Sequence, residues 1–205
     1  MSKYFEQYNQ GVDRVSGLLA LYEKLADRNM AKANGSVRPS DILRAAVVFL
    51  HSAEEDYFRN ILIRWYPEKA DSKALQEIPL AGTTGRSQKY SFDQIACFRG
   101  QTIDELVIES VKQFFSKASF NSYGEIVSRL AKIQIDCSAY DRAADIDAFI
   151  SRRHKIVHEV DLVPGKNHPT TKPISASQVR TWVECSMAFV KLIDAHVSSL
   201  DKASS

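Results

Sequence analysis

The sequence has few cysteines, no long apolar run and no marked excess of charge of one sign. Its three cysteines are Cys97, Cys137 and Cys185. An odd, widely spaced set excludes a disulfide framework and a cysteine-rich zinc site, and it fits a reducing compartment. The longest uninterrupted apolar run, residues 45–50, is far shorter than the roughly 18 residues of a membrane span. We therefore expect a cytoplasmic protein without membrane association.

The net charge of +2 is too small to indicate nucleic-acid binding from composition alone, although it is compatible with a local basic cluster. The apolar fraction of 44% excludes a wholly disordered chain. For 205 residues we predict one domain spanning residues 1–205. We place its core at about 40–197, an N-terminal helix at 1–30 and a loop insertion at 67–101.

No segment has the alternating pattern of a strand, whereas apolar residues recur every three or four positions along most of the chain. The broadest apolar stripe follows Ser40, which we expect to cap a central helix that ends at Pro67. The pattern predicts an all-α, antiparallel bundle of about six helices, near residues 3–28, 41–66, 102–118, 123–134, 139–160 and 176–199. Capping boxes are predicted at the starts of three of them, Thr102–Glu105, Ser122–Glu125 and Ser175–Gln178.

Two polar segments are interpreted as structural. Residues 82–86 resemble a phosphate-binding loop but lack its Gly-Lys-Ser/Thr ending, so we predict an ordinary loop within an insertion that holds one short helix. Glu54, Glu55 and Asp56 are consecutive and therefore point in different directions around a helix. They cannot form one metal site, and we expect a solvated edge.

The densest group of candidate functional residues is the basic segment at 152–159, Arg-Arg-His-Lys-Ile-Val-His-Glu. His154 and His158 are one helical turn apart, but no third metal ligand is evident nearby, so neither a metal nor another cofactor is predicted. Lys155 and Lys166 are candidate contacts for a polyanionic substrate.

These residue types also suit metal-free cleavage of RNA, whose 2′-hydroxyl is its own nucleophile. Such cleavage needs a proton acceptor, a proton donor and a cation for the phosphate. Histidine can perform either proton transfer near neutral pH, and arginine binds phosphate with a planar pair of donors.

Spacing alone identifies no single pair. About one Arg separated by four to six residues from a following His is expected by chance in such a sequence. Arg44 and His51 also match, and so does Arg152 with His158. We prefer Arg153, which shares a helical row with Ile146, Ile150 and Val157 and is therefore expected to face packed protein.

The order of three segments resembles the HEPN-domain family, most closely its group associated with RNA ligase and phosphatase genes. The segments are Asp-Ile-Leu-Arg through Asp-Tyr-Phe-Arg at 41–59, Ser-Phe-Asn-Ser at 119–122 and Arg-His-Lys-Ile-Val-His at 153–158. The resemblance covers about residues 40–197.

The resemblance implies a helical bundle that forms a homodimer and sets two copies of the signature against each other. Many members are metal-independent endoribonucleases of toxin–antitoxin and anti-phage systems, and others bind RNA or a partner protein without cutting. Arg153 would contact the scissile phosphate, His158 would transfer protons, and His154 and Arg152 would support them. An antitoxin or defence-system partner would be a separate protein. Both an endoribonuclease and a non-catalytic binding module remain open.

Helix geometry favours the dimer. Five residues rotate an ideal helix so that Arg153 and His158 lie about 140° apart and about 7.5 Å along its axis. These two side chains do not converge on a straight helix, so a second copy or a frayed helix end must complete the site.

Overall fold

The computed structural model describes residues 1–27, 38–81, 91–163 and 170–203. Eight helices occupy them, α1 (Lys3–Asp27), α2 (Pro39–Lys69), α3 (Ser72–Leu75), α4 (Phe92–Ala96), α5 (Ile103–Ser116), α6 (Tyr123–Ala131), α7 (Ala143–His158) and α8 (Ala176–Ala203). Six correspond to the predicted helices, while α3 and α4 are short. The described ranges contain no strand beyond an isolated bridge between Leu162 and Thr171, so the all-α prediction is confirmed. Within these ranges, no helix has the length and apolarity needed to cross a bilayer.

α2 is the central helix, as its broad apolar stripe predicts. It packs against α1, α5, α7 and α8, and its buried aromatic and aliphatic side chains run from Leu43 to Tyr66. Burial of each large apolar side chain contributes about 1.5–3 kcal/mol. The core is therefore assembled around α2, and the other helices are placed relative to it.

The predicted start of α2 is corrected by two residues, from 41 to Pro39. Pro39 occupies its first turn, where a missing N–H costs nothing, and the backbone N–H of Arg38 donates to Asp41 Oδ2 at 2.9 Å. Ser40 lies inside the first turn and is therefore not the cap. Its hydroxyl accepts a hydrogen bond from Arg44 Nη1 at 2.9 Å. The side chain predicted to start the helix instead holds an arginine.

The predicted end of α2 is also wrong, because Pro67 lies inside the helix, which ends at Lys69. Proline removes one backbone donor and crowds the preceding turn, but the final turn still accommodates two further residues. Two short helices follow in the insertion at 67–101, where one was predicted. The predicted loop at 82–86 lies outside the described residues.

The three predicted capping hydroxyls, Thr102, Ser122 and Ser175, each accept a backbone N–H from three residues ahead. At the first, Glu105 completes the box by accepting the Thr102 N–H at 2.7 Å. At the second, Glu125 accepts the N–H of Asn121 instead, at 3.0 Å. Local sequence therefore sets the positions where these helices start.

Two of the three consecutive acids on α2 are buried, so the predicted solvated edge is wrong for Glu54 and Glu55 and holds for Asp56. A central helix has neighbours on several sides, which leaves few positions exposed. Glu55 accepts hydrogen bonds from Arg59 Nη2 at 3.1 Å and from the backbone N–H of Phe120 at 3.3 Å. Burial raises the pKa of Glu54 to about 8, against a hydrogen bond from a neighbouring serine that lowers it, so this carboxyl is mostly protonated at neutral pH.

α1 packs closely on α2 at a glycine. A Cβ added at Gly11 would lie 2.6 Å from the Cβ of Ala53, too close for any larger residue without movement of a helix. Farther toward the N-terminus, the Tyr8 hydroxyl lies 2.6 Å from the Ser186 hydroxyl of α8. α1 is therefore joined to the core by both close packing and a buried polar contact.

Candidate functional site

α7 carries the basic segment and exposes its C-terminal end. Ile146, Phe149 and Ile150 are buried where the helix packs against α2 and α8. Apolar contact therefore fixes the first half of the helix. His158 is its last residue, and its side chain is exposed.

Two histidines lie together on this exposed end. The ring centroids of His154 and His158 are 4.6 Å apart, and their planes are inclined by 44°. Both side chains are exposed, while Lys155 between them is half-buried. Nowhere in the described ranges do three or more His, Cys, Asp or Glu side chains group to hold a metal ion. The pair presents two imidazoles to solvent on the same face of α7.

The guanidinium of Arg152 is bound by other groups of the chain. Its Nη2 donates to Asp161 Oδ2 at 2.8 Å and to the backbone carbonyls of Lys172 and Pro173, each at 3.0 Å. Only 13% of its side chain is exposed. Its charge is neutralised by the buried carboxylate of Asp161.

The guanidinium of Arg153 lacks such contacts. The Nε of each arginine is shielded from solvent without a hydrogen-bond partner, but the described residues provide an ion pair only for Arg152. Position on the helical row of Ile146 and Ile150 does not distinguish Arg153 from Arg152. Both arginines are half-buried, and Val157 on that row is 45% exposed. Their hydrogen bonds do separate them, and Arg153 is the one whose charge is unpaired in the described chain.

The chain turns sharply after His158 through two residues in the left-handed region. Val160 has φ 52° and Asp161 has φ 55°, and neither is glycine. A β-branched residue in this region is a genuine outlier, with a cost on the order of 1–3 kcal/mol. The Asp161 N–H donates to the carbonyl of Lys155 at 3.0 Å, which closes the turn back onto the last turn of α7.

Asp161 joins two arginines from different helices, and we call Asp161, Arg44 and Arg152 the arginine clasp. Asp161 Oδ2 accepts from Arg44 Nε and from Arg152 Nη2, both at 2.8 Å, and its side chain is fully buried. The carbonyl of Lys172 accepts from Arg44 Nη2 at 2.7 Å, and the Lys172 N–H donates to the Asp161 carbonyl at 2.9 Å. The clasp thus connects the start of α2, the end of α7 and the segment before α8.

The second match to the motif, Arg44 and His51, is enclosed in the bundle. Arg44 is 7% exposed and His51 is 2% exposed. Every nitrogen of the Arg44 guanidinium donates a hydrogen bond within the chain, to Asp161, to Ser40 and to the carbonyl of Lys172. His51 Nε2 lies 3.3 Å from the Phe120 carbonyl, which makes it the donor when the ring is neutral. Neither side chain is positioned to reach a substrate.

His51 is nevertheless close enough to α7 for the charge of Arg153 to affect its pKa. Burial lowers the pKa of His51 to about 4, the nearby Glu55 carboxylate opposes this shift, and the Arg153 charge adds to it. Its ring lies 5.8 Å from that of Phe149, one turn before Arg153. His51 is therefore neutral at physiological pH and lies behind the exposed end of α7.

The structure thus brings Arg152, Arg153, His154, Lys155 and His158 to one helix end, with the first engaged internally. Lys166 lies outside the described residues. Asp161 was missed by sequence reasoning, because an acid after a basic helix end gives no local signal of an arginine 117 positions away.

Exposed apolar side chains border the basic end of α7. Val157, Val160 and Leu162 are 45%, 69% and 38% exposed. We call these three residues the apolar border. The histidines therefore lie beside a surface that combines charge with apolar area.

The family model described as RiboL-PSP-HEPN matches residues 13–199. No curated protein and no solved structure matches the chain significantly. The match includes most of α1 as well as the three segments whose order resembles the family, and it covers nearly the whole helical bundle. The chain belongs to the RiboL-PSP-HEPN family.

Proposed function

We propose that the chain is a homodimeric, metal-independent endoribonuclease that uses Arg153 and His158. The observation that carries this proposal is the contrast at one helix end. His158 is exposed and Arg153 has no ionic partner among the described residues, whereas Arg152 and Arg44 are both bound to Asp161. An unpaired guanidinium next to exposed imidazoles suits a phosphodiester substrate.

In the proposed reaction, His158 of one protomer accepts the proton of an RNA 2′-hydroxyl. The 2′-oxygen forms a bond to phosphorus while the bond from phosphorus to the 5′-oxygen breaks. A second imidazole, that of His158 of the partner protomer, donates a proton to the leaving 5′-oxygen. Arg153 stabilises the negative charge on the phosphate during transfer. The products are a 2′,3′-cyclic phosphate end and a 5′-hydroxyl end.

The geometry of α7 supports the proposed dimer. The helix is continuous from Ala143 to His158, so Arg153 and His158 project about 140° apart and cannot converge on one phosphate. The apolar border offers area for contact with a second copy beside the site. Equilibrium sedimentation at tens of micromolar is expected to show a dimer, and a monomer at this concentration would contradict the composite site.

The decisive experiment incubates purified protein with total RNA in EDTA and maps new ends. We expect cleavage that leaves 2′,3′-cyclic phosphates, and we expect no cleavage by the His158→Ala variant. The matched control is His196→Ala, which replaces a half-buried histidine on α8 outside the basic segment. Cleavage that EDTA abolishes and magnesium restores would replace this mechanism with metal-assisted hydrolysis.

A second candidate, a HEPN module that binds RNA or a partner protein without cleaving, is favoured by one observation. On a straight helix Arg153 and His158 project about 140° apart, so a monomer would keep basic side chains without a complete reaction site. Filter binding of labelled RNA separates the candidates. RNA binding without new ends, together with a monomer in sedimentation, would support the binding module.

We also propose a cytoplasmic role as a toxin or anti-phage effector controlled by a separate antitoxin or defence protein. The family resemblance and an RNA substrate support this role. Induced expression in a bacterial host should slow growth for the wild-type chain and not for His158→Ala. Equal growth of both strains at equal protein levels would argue against it.

A further inference from the structure

The turn that follows His158 is held in a costly backbone conformation. Val160 and Asp161 both have positive φ, and Val160 is a β-branched residue where glycine is usual after a helix end. Such strain persists only when surrounding contacts determine the conformation. Asp161 supplies the side-chain contacts and two of the backbone bonds, while the N–H groups of Leu162 and Val163 donate to the carbonyls of Glu159 and Thr170.

Asp161 fixes the end of α7 from three directions. Its carboxylate is bound by Arg44 and Arg152, and its N–H bonds to the carbonyl of Lys155. Its own carbonyl accepts the N–H of Lys172. These bonds set where the helix stops, and His158 is the last helical residue.

The same carboxylate determines which arginine is available. Arg152 and Arg153 are adjacent, and a phosphate approaching this helix end would attract both charges. The 2.8 Å ion pair with Asp161 occupies the guanidinium of Arg152, so Arg152 is not available to bind the phosphate. Arg153 is left as the cation at this helix end that has no ion pair among the described residues.

We propose that Asp161 is a positioning residue for the site. It ends α7 at His158, holds that imidazole in place through the strained turn, and sequesters Arg152 so that Arg153 meets the phosphate. The proposal rests on the proposed function for its catalytic consequence. Its structural consequence, the placement of His158, can be measured without RNA.

The test compares Asp161→Asn with a matched control, Asp194→Asn. Asp194 is buried to a similar degree on α8, where it accepts the Ser2 N–H at 3.2 Å, and within the described ranges no hydrogen bond or ion pair joins it to α7. For each folded variant, the His158 Cε1–H resonance is recorded at a fixed pH, with assignment by its loss in His158→Ala. Amide exchange at 159–162 and the steady-state cleavage constants are then measured.

We expect Asp161→Asn to displace the His158 resonance, to speed amide exchange at 159–162, and to lower kcat about 10-fold or more with KM within about two-fold. Asp194→Asn should lose stability without any of these changes. If Asp161→Asn fails to fold, Arg152→Gln removes one half of the clasp while Arg44 keeps the other, and the same displacement is expected.

The proposal is overturned if the His158 resonance stays at its wild-type position in the folded clasp variants, or if Asp194→Asn displaces it equally. A chain that cleaves no RNA yet shows the selective displacement would refute the endoribonuclease and support the positioning role. An active enzyme in which Asp161→Asn changes neither the His158 resonance nor kcat would refute the positioning role and support the endoribonuclease.

Discussion

The pair Arg44 and His51 on α2 and the pair Arg153 and His158 on α7 satisfy the same spacing rule but occupy opposite environments. The α2 pair is almost fully buried, and its arginine donates only to groups of the chain itself. The α7 pair lies at a helix end with an exposed histidine and an arginine that the described chain leaves without an ionic partner. The comparison shows that spacing selects candidates, while burial and existing hydrogen bonds decide which candidate can meet a substrate.

The largest expected effect is on catalysis by the α7 pair. Arg153→Ala and His158→Ala should each lower the cleavage rate by about 10²- to 10⁴-fold, because they remove the phosphate cation or the proton-transfer group. Single-turnover cleavage of a defined RNA measures the rate, and urea denaturation should show a free energy of unfolding close to wild type. An active Arg153→Ala together with a stable but inactive Arg44→Ala would make the α2 pair the site.

Next in size is the stability that Arg44 provides. Arg44→Ala should destabilise the fold by about 3–5 kcal/mol, because it leaves the buried Asp161 carboxylate short of a partner. Urea denaturation checks this value. The control is Arg64→Ala, which removes a surface ion pair with Glu68 and should cost less than about 1 kcal/mol. Equal costs for the two variants would contradict the structural role of the α2 pair.

Burial of His51 should make the free energy of unfolding depend on pH, by an amount similar to or smaller than the effect of Arg44→Ala. The pKa of His51 is about 4 in the fold against about 6.5 in the unfolded chain, so below pH 6.5 the unfolded state binds a proton that the fold excludes. Its stabilising contribution is complete above pH 6.5 and decreases as pH falls toward 4, by on the order of 3 kcal/mol.

Urea denaturation at pH 7 and pH 4.5 tests this prediction. Burial also raises the pKa of Glu54 to about 8, which favours the fold as pH falls through the same range, so the readout is the difference between proteins. Between pH 7 and pH 4.5 the wild type should lose more stability, or gain less, than His51→Gln, whose amide can still donate to the Phe120 carbonyl. The exposed control His154→Gln should match the wild type, and an equal change in all three proteins would assign the pH dependence to other groups.

The smallest effect concerns the strained end of α7. Val160→Gly should raise the free energy of unfolding by about 1 kcal/mol, because glycine adopts positive φ without steric cost. Thermal denaturation should show an increase in Tm of about 2–4 °C. Val157→Gly, inside the same helix, should instead destabilise by about 1 kcal/mol. A loss of stability in Val160→Gly would mean that the turn is not strained.

The sequence predicts the helices well where local signals dominate. Thr102, Ser122 and Ser175 mark true helix starts, and the stripe of α2 predicts its central position. Prediction from sequence is less successful where the role of a residue depends on partners that are distant in the sequence. Ser40 looks like a cap but binds Arg44, and Glu54 and Glu55 look solvated but are enclosed by neighbouring helices.

The candidate site shows the same division. The basic end of α7 and both histidines follow from the segment at 152–159, whereas the separation of Arg152 from Arg153 depends on Asp161 and on carbonyls of Lys172 and Pro173. Those groups are near in space but are set by tertiary packing, which no spacing rule contains.

The arginine clasp also bears on the order in which the protein acquires its structure during synthesis. Arg44 and Asp161 are 117 positions apart, and Lys172 contacts both, since its carbonyl accepts from Arg44 Nη2 and its N–H donates to the Asp161 carbonyl. Contacts of such long range form late because chain closure must be completed first. A nascent or truncated chain that ends before residue 172 lacks this contact, so the helix end bearing His158 is completed only when most of the protein has left the ribosome.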